Sequence, residues 1–246
     1  MVRLASADRP DVLCLQELPV WSLGLLDEWS GMTAVGDVAA RPMIGPLPST
    51  AEIGRRITEL DHGLFRSAFT GQAVALLLGS SLRLTEHEVV VLNPRGYRRR
   101  QARRLDLALT ARFAWARERR VCQVVRARHE DGSTLVVANL HATSYRPDKR
   151  LADAELLRAA SFVDGFARPD EPVLLCGDFN LSLRNSRVLP ELTGPEWGFE
   201  DPSPHGVDHI LARTISLGPP SHWPEVRRRL DGRLLSDHAP LDRHDA

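Results

Sequence analysis

The amino-acid sequence predicts an α/β fold: a four-layer sandwich of two mostly antiparallel β-sheets packed face to face, with helices outside. Short runs rich in Val and Leu recur along the 246 residues, and each is bounded by Gly, Pro, Asp or Asn, as strands usually are. Several runs are almost continuously apolar, which is typical of strands covered on both faces. Strands and helices do not alternate strictly, and this also favours two packed sheets.

The predicted strands share this apolar character and these boundaries. They are Val12 to Leu15, Ala73 to Leu78, Val89 to Leu92, Leu105 to Ala111, Val121 to Ala127, Leu135 to Asn139, Val173 to Cys176 and Asp208 to Leu211. Asp131 and Gly132 have the composition of a tight hairpin turn. The strands on either side of this turn should therefore pair antiparallel.

Helical periodicity is clearest from Arg150 to Phe166, where apolar residues fall at spacings of three and four. This segment should form a helix on the outside of a sheet. Ser49 to Leu60 is a second predicted helix and Trp21 to Trp29 a third. The Pro- and Gly-rich stretches Arg41 to Pro48 and Gly194 to Pro204 are predicted surface loops.

Composition narrows the class of protein. Lys+Arg and Asp+Glu are both 32, so the global charge gives no reason to expect a nucleic-acid or membrane partner. Cys14, Cys122 and Cys176 each lie in an apolar run, which indicates buried thiols in a reducing compartment. The chain has neither a segment apolar enough to span a bilayer nor the pattern of a secretion signal at its start. A cytoplasmic location is expected.

Polar residues that suit catalysis follow several predicted strands. Taken alone, each has an ordinary structural explanation, such as a solvated strand end, an Asx-type turn or a hydrogen-bonded core histidine. Together they favour a functional site, because a rigid sheet fixes the side chains at its strand ends. The segments are QE ending at Glu17, NLH ending at His141, GDFN with Asp178 and Asn180, DHI beginning at Asp208, and SDHAP with Asp237 and His238.

These five segments, in this order, resemble the signature of the endonuclease/exonuclease/phosphatase superfamily. The resemblance extends from Pro10 to Leu241 and includes GQAVALLL at Gly71 and WARERR at Trp115. It implies one catalytic domain over residues 1–246, without its first strand, that hydrolyses phosphodiester or phosphomonoester bonds. The implied substrate is a nucleic acid, a phospholipid headgroup or an inositol phosphate. A monomer without a protein partner is expected.

The resemblance also implies roles for the site residues. Glu17 would bind Mg²⁺, with Mn²⁺ as the alternative, because these ions prefer oxygen ligands. Asp237 would contribute to the same metal shell. His238 would act as a base or as a phosphate partner, and Asp208 would pair with it and fix its tautomer.

The remaining roles concern the nucleophile, the phosphate and the supporting residues. Asp178 and Asn180 would orient the nucleophile and hydrogen-bond a phosphate oxygen. His141 would contact the phosphate or help to protonate the leaving group. Asn139 and Glu118 are expected to support the orientation of these residues without contacting the substrate themselves.

One element of the family pattern has no counterpart. Family members begin with a strand that ends in an Asn, commonly in a WN pair, before the metal-binding Glu. Here the segment Arg3 to Val12, which precedes the strand leading to Glu17, reads as the tail of a helix. Either the start codon has been assigned too far downstream, which is favoured, or this is the real product, with an open sheet edge or gap in place of the first strand and weak or absent catalysis. A non-catalytic binding remnant of the same fold is therefore the alternative function.

The segment Arg95 to Arg104 is the one conspicuous basic cluster. It could bind phosphates through its arginines, with Tyr97 stacking on a base. It could equally be a solvated loop between two strands. Both interpretations remain open at the level of the sequence.

Overall fold

Two β-sheets face each other in the computed structural model, which describes residues 1–44, 47–60, 70–200 and 203–244. The strands, in chain order, are β1 (Val12–Leu18), β2 (Thr33–Ala40), β3 (Met43–Ile44), β4 (Leu47–Pro48), β5 (Gln72–Leu78), β6 (Leu82–Val91), β7 (Val121–His129), β8 (Thr134–His141), β9 (Val173–Asp178), β10 (Asp208–Arg213), β11 (Ser221–His222), β12 (Arg229–Leu230), β13 (Arg233–Leu234) and β14 (Leu241–Asp242).

The helices lie between these strands in the chain. The α-helices are Val2–Ser6, Leu26–Ser30, Ala51–Leu60, Arg95–Arg104, Leu109–Arg117, Arg150–Phe166 and Val188–Leu192, and the 3₁₀ helices are Val20–Leu25 and Glu225–Arg228. The predicted helix at Arg150–Phe166 is confirmed, as are helices within the other two predicted segments. Among the described residues, no helix combines the length and the apolar character that spanning a bilayer requires.

The larger sheet has the strand order β10-β9-β8-β7-β6, and the smaller has the order β1-β5-β2. All neighbouring strands in both sheets are antiparallel except β8 and β9, which are parallel and are connected through helix Arg150–Phe166. The hairpin predicted at Gly132 joins β7 to β8, and its φ of 90° is a conformation that favours glycine. The prediction of two mostly antiparallel sheets is thus confirmed.

Successive side chains of a strand point to opposite faces of its sheet, so the apolar residues of each sheet form two separate layers. Leu76 and Leu78 of β5 pack with Val125 and Val137 of the larger sheet, between the two sheets. Residues of opposite parity face outward: Val136, Ala138 and Leu140 pack under helix Arg150–Phe166, whereas Ala75 and Leu77 pack against the N-terminal helices. The order of layers is therefore helix, sheet, sheet, helix, as predicted.

Two local predictions are wrong, and a third lies partly outside the described residues. Leu105–Ala111 is not a strand: it contains a turn and the start of helix Leu109–Arg117, and Leu107 and Ala111 pack between two helices. Within Arg41–Pro48, β3 and β4 pair as a short hairpin, so this stretch is not wholly a loop. Of the predicted loop Gly194–Pro204, residues 201–202 lie outside the described part.

The basic cluster Arg95–Arg104 is a helix and not a solvated loop. The Tyr97 hydroxyl donates a hydrogen bond to the Ala154 carbonyl at 2.7 Å, and its ring lies edge-on to Trp115. Because this ring packs toward the protein, the sequence interpretation in which Tyr97 stacks on a base is wrong.

Candidate active site

Three of the predicted site residues form a row across adjacent strands of the larger sheet. His141 of β8 is the register partner of Asp178 of β9, and Asp178 is the register partner of Asp208 of β10. All three side chains lie on the face of the larger sheet that packs against the smaller sheet. Cys176, two residues before Asp178 on β9, lies on the same face. The pairing of these strands therefore brings together residues that are far apart in the sequence.

Gly177 is what allows β9 to approach β8 immediately before Asp178. A Cβ atom at this position would lie 1.9 Å from the Leu140 carbonyl oxygen, and the φ of Gly177 is 136°. No residue with a side chain fits there without moving one of the strands. The glycine of the GDFN segment is thus required by the close contact between parallel strands.

Glu17 reaches the same region from the smaller sheet. The pairing of β1 with β5 shifts register between Leu15 and Leu18, and Glu17 in this bulge has a φ of 55°. Bulges of this kind redirect a side chain out of the regular alternation. The Glu17 carboxylate is 66% exposed, and its Oε1 lies 3.7 Å from His141 Nε2.

His238 completes the cluster from the C-terminal segment. Its Nδ1 lies 3.0 Å from Asp208 Oδ2. Ligand atoms of Asp178, Asp208 and His238 all lie within 4.8 Å of one another. The hydrogen bond to Asp208 is the main cause that raises the pKa of His238 to about 9, so the imidazole is protonated at neutral pH in the metal-free protein.

Asp178 is buried among negative charges. Burial is the main cause that raises its pKa to about 6, and the nearby carboxylates of Asp208 and Glu17 raise it further. A carboxyl with this pKa is mainly ionised at neutral pH yet accepts a proton readily. An excess of carboxylate oxygens also suits a hard divalent cation such as Mg²⁺.

His141 is held by an arginine that the sequence analysis did not identify. Arg120 Nη1 lies 3.0 Å from His141 Nδ1 and 3.4 Å from Nε2. Since a guanidinium only donates, the nearer nitrogen is the acceptor, and the neutral ring carries its proton on Nε2. Burial, followed by the charge of Arg120, places the pKa of His141 well below its usual range. Glu118 accepts a hydrogen bond from Arg120 Nη2.

The Nε2 proton of His141 has no close acceptor among the residues that the structure describes. The nearest carboxylate oxygens, Glu17 Oε1 at 3.7 Å and Asp178 Oδ2 at 3.6 Å, are beyond hydrogen-bond distance. This donor therefore points into the cluster and is free to contact a substrate oxygen.

Asn180 and Lys149 line the site beside Asp178. The Asn180 backbone N–H donates to Asp178 Oδ1 at 2.8 Å, and its side-chain amide donates to the Ala142 carbonyl at 3.0 Å. Lys149 Nζ donates to the Asn180 carbonyl at 2.8 Å, and burial lowers the pKa of this lysine. A lysine and a carboxylate thus share one wall of the site.

Two predicted residues lie at its margin. Asp237 is exposed and adds a negative charge near His238, but its carboxylate is outside the group formed by Asp178, Asp208 and His238. Asn139 is fully buried behind the site: its side-chain amide donates to the carbonyls of Leu15 and Ala75, which joins the two sheets.

Sequence reasoning missed Arg120 and Lys149 as parts of the site. Lys149 is the only lysine of the chain, and Arg120 ends the WARERR segment. Neither feature distinguishes a site residue from a solvated one. Only the fold shows that Arg120 is buried against His141 and that Lys149 reaches Asn180.

Comparison with known proteins identifies the family of this chain. The profile of the Endonuclease/Exonuclease/phosphatase family matches residues 1–238, so the chain belongs to that family. No curated protein matches the chain in direct sequence comparison.

Solved structures show the same fold at low sequence identity. An endonuclease/exonuclease/phosphatase from Bacteroides vulgatus has a TM-score of 0.66 at 13% identity, covering 98% of this chain and 86% of its own. Humanized D. rerio TDP2 has a TM-score of 0.60 at 16% identity, covering 98% and 89%. The catalytic domain of human nocturnin, with bound sulfate, has a TM-score of 0.58 at 15% identity, covering 88% and 76%.

Proposed function

We propose that this protein is a metal-dependent phosphoesterase that hydrolyses phosphodiester or phosphomonoester bonds by attack of water. The observation that carries the proposal is the convergence of Asp178, Asp208 and His238 within 4.8 Å, beside His141 and Glu17. Phosphate ester hydrolysis requires neutralised phosphoryl oxygens, an activated water and help for the leaving group. The cluster offers a group for each requirement.

Asp178 is the proposed acceptor of the water proton. Its carboxylate is buried in the site, and its pKa of about 6 in the metal-free protein means that it accepts a proton more readily than an ordinary carboxyl. His238, with a pKa of about 9, is the proposed cationic donor to a phosphoryl oxygen. Asp208 orients the His238 ring through the hydrogen bond to Nδ1, which leaves Nε2 to face the substrate.

His141 is the proposed second donor, through its Nε2 proton, to a phosphoryl oxygen or to the leaving group. Burial and, after it, the charge of Arg120 keep this ring neutral, and the contact with Arg120 holds it in the required tautomer. Lys149 adds a positive charge beside Asn180, and both residues would help to hold the phosphate. Glu118 would act only by fixing Arg120.

Glu17 is the proposed ligand of the divalent cation, Mg²⁺ or Mn²⁺, with Asp237 as a further candidate. The oxygen donors fit such an ion, because neighbouring carboxylates already raise the pKa of Asp178 and a cation would relieve this repulsion. When bound, the ion would neutralise charge on the phosphoryl oxygens.

The test is hydrolysis of bis-p-nitrophenyl phosphate, p-nitrophenyl phosphate and DNA, measured with Mg²⁺ and with Mn²⁺. The His238→Ala variant should lose about 10²- to 10⁴-fold in turnover, the usual contribution of a positioned acid or base. The control is His129→Ala, at the opposite end of the sheet near the β7–β8 turn. Equal rates in His238→Ala and wild type, or an inert wild type on every substrate, would contradict the proposal and favour a binding remnant.

A further inference from the structure

The helix Arg95–Arg104, called the arginine helix below, presents an unusual outer surface. Its inner face is formed by Tyr97, Ala102 and their neighbours, which pack against helix Leu109–Arg117. The outer face is exposed and almost entirely cationic. Its arginines are Arg95, Arg99, Arg100, Arg103 and Arg104.

These cations are not balanced within the protein. None of the five forms an ion pair with another residue in the described part of the chain. Arg95, Arg99 and Arg103 also follow one another at spacings of four, where like charges destabilise a helix by about 0.2–0.5 kcal/mol per pair. The surface therefore carries a cost in stability that an anionic partner would offset.

Both ends of the arginine helix are attached to the rim of the candidate active site. At its start, the Asn93 side chain donates to the Glu118 carbonyl at 2.8 Å and accepts from the Arg120 backbone N–H at 2.9 Å. Arg120 in turn contacts His141. The cationic surface thus flanks the site and is not a remote feature.

The other end is attached through helix Arg150–Phe166. Arg150 Nη1 donates to the Leu105 carbonyl at 2.6 Å. The preceding residue, Lys149, donates to the Asn180 carbonyl inside the site. A ligand held in the site and longer than one phosphate group could therefore extend onto the arginine helix.

The neighbouring helix carries exposed apolar groups of its own. Phe113 is 75% exposed and Leu109 is 65% exposed, and they lie four residues apart on the outer face of helix Leu109–Arg117. Exposed aromatic rings beside arginines are typical of surfaces that stack the bases of single strands. Apolar side chains beside arginines also occur in proteins that bind anionic bilayers.

We propose that the arginine helix and Phe113 bind a single-stranded polynucleotide whose scissile phosphate lies in the candidate active site. A chain of phosphates is favoured over a bilayer because the cations flank a site that itself fits one phosphate ester. The inference rests on the proposed phosphoesterase function and specifies its substrate class. It predicts that affinity depends on the arginines and on salt concentration, whereas chemistry on a small ester does not.

The test measures fluorescence anisotropy of a labelled single-stranded DNA with the full chain in EDTA, over a range of NaCl concentrations. The Arg95→Gln/Arg99→Gln/Arg103→Gln variant removes the outer row, and Gln maintains helix propensity. The control Arg83→Gln/Arg128→Gln/Arg233→Gln removes the same charge from exposed arginines elsewhere. We expect the dissociation constant of the first variant to rise at least about tenfold at low salt, with a salt slope smaller by about 2. The control should stay near wild type.

Three further comparisons decide the outcome. Unchanged DNA affinity in the arginine-helix variant, with the fold verified by circular dichroism, would overturn the proposal. The proposal would also be overturned if the variant bound DNA normally but no longer sedimented with phosphatidylserine vesicles, because the arginine helix would then be a membrane-binding surface. Hydrolysis of bis-p-nitrophenyl phosphate should be equal in the variant and wild type. If both are inert while the DNA-binding difference persists, the proposed function fails and with it the placement of a scissile phosphate in the site, whereas the arginine helix stands as a DNA-binding surface.

Discussion

At the scale of single residues, the His238–Asp208 pair determines the charge that the site presents. The hydrogen bond to Asp208 raises the pKa of His238 from 6.5 to about 9. A histidine whose pKa is higher in the folded state stabilises that state below its unfolded pKa, and the contribution is lost as pH rises through the folded pKa. The pair should therefore stabilise the metal-free protein most at mildly acidic and neutral pH.

We predict that the free energy of unfolding in EDTA, measured with urea, decreases between pH 6.5 and about 9 because of this pair. Asp208→Asn should remove much of the decrease, so the difference between wild type and variant isolates His238 from other titrating groups. If the free energy of unfolding depended on pH in the same way in both proteins, protonation of His238 would not contribute to stability through Asp208.

A second residue-scale prediction concerns Arg120, which lies 3.0 Å from His141 Nδ1. Burial and, after it, the charge of Arg120 lower the pKa of His141. In Arg120→Met the pKa should rise partway toward 6.5, because burial remains, and Arg120→Lys should keep it low. NMR titration of the imidazole protons measures both, with Arg119→Met as the exposed control. A histidine unaffected by Arg120→Met would contradict the contact.

At the scale of elements, the contact between β8 and β9 sets the position of Asp178. Gly177→Ala places a Cβ 1.9 Å from the Leu140 carbonyl oxygen, whereas a Cβ at Gly132, also at positive φ, has no neighbour within 4 Å. We predict that Gly132→Ala costs about 1–3 kcal/mol from backbone strain alone and that Gly177→Ala costs clearly more or fails to fold. Urea unfolding compares the two. Equal costs would mean that the strands separate easily at this point.

Prediction of elements from the sequence succeeded where apolar periodicity was strong and failed where packing decides. Arg150–Phe166 has apolar residues on one face, and its bounds were predicted correctly. Leu105–Ala111 alternates apolar and polar residues like a strand, but Leu107 and Ala111 fill the space between two helices. The arginine helix has almost no apolar residues, so its helical structure left no periodic signal.

The candidate site, too, was only partly predictable from the sequence. Strand ends with polar residues were visible in the sequence, and the structure gathers Glu17, His141, Asp178, Asp208 and His238 at one end of the sandwich. The contacts of Arg120 and Lys149 depend on which strands are neighbours and on where a loop returns. Such long-range contacts leave no local pattern in a single sequence.

At the scale of the whole molecule, the site depends on the two sheets remaining in register, and Asn139 is central to this. It is fully buried, accepts a hydrogen bond from Gln16 Nε2 at 2.6 Å, and donates to the carbonyls of Leu15 and Ala75. Gln123 also crosses between the sheets, but it makes one bond, to the Val35 carbonyl, and its Oε1 has no partner among the described residues.

We therefore predict that Asn139→Leu lowers the free energy of unfolding by about 2–4 kcal/mol, because it leaves buried carbonyls without donors. Gln123→Leu should cost about 1 kcal/mol or less, since it also removes an unsatisfied oxygen. Urea unfolding of both variants provides the comparison. If Gln123→Leu lowered the free energy of unfolding more than Asn139→Leu, the two sheets would be held together mainly at Gln123.

If the carboxylate cluster makes this protein a metal-dependent phosphoesterase, divalent metal should restore activity to the metal-free protein. The protein is stripped with EDTA, and hydrolysis of bis-p-nitrophenyl phosphate is followed as Mg²⁺ or Mn²⁺ is added back, for wild type and Glu17→Gln, with the exposed Glu28→Gln as the matched control. We expect activity to return with metal in wild type and Glu28→Gln, whereas Glu17→Gln should require much more metal or stay inactive. Activity that persists in EDTA, or metal rescue that is the same in Glu17→Gln, would contradict this expectation.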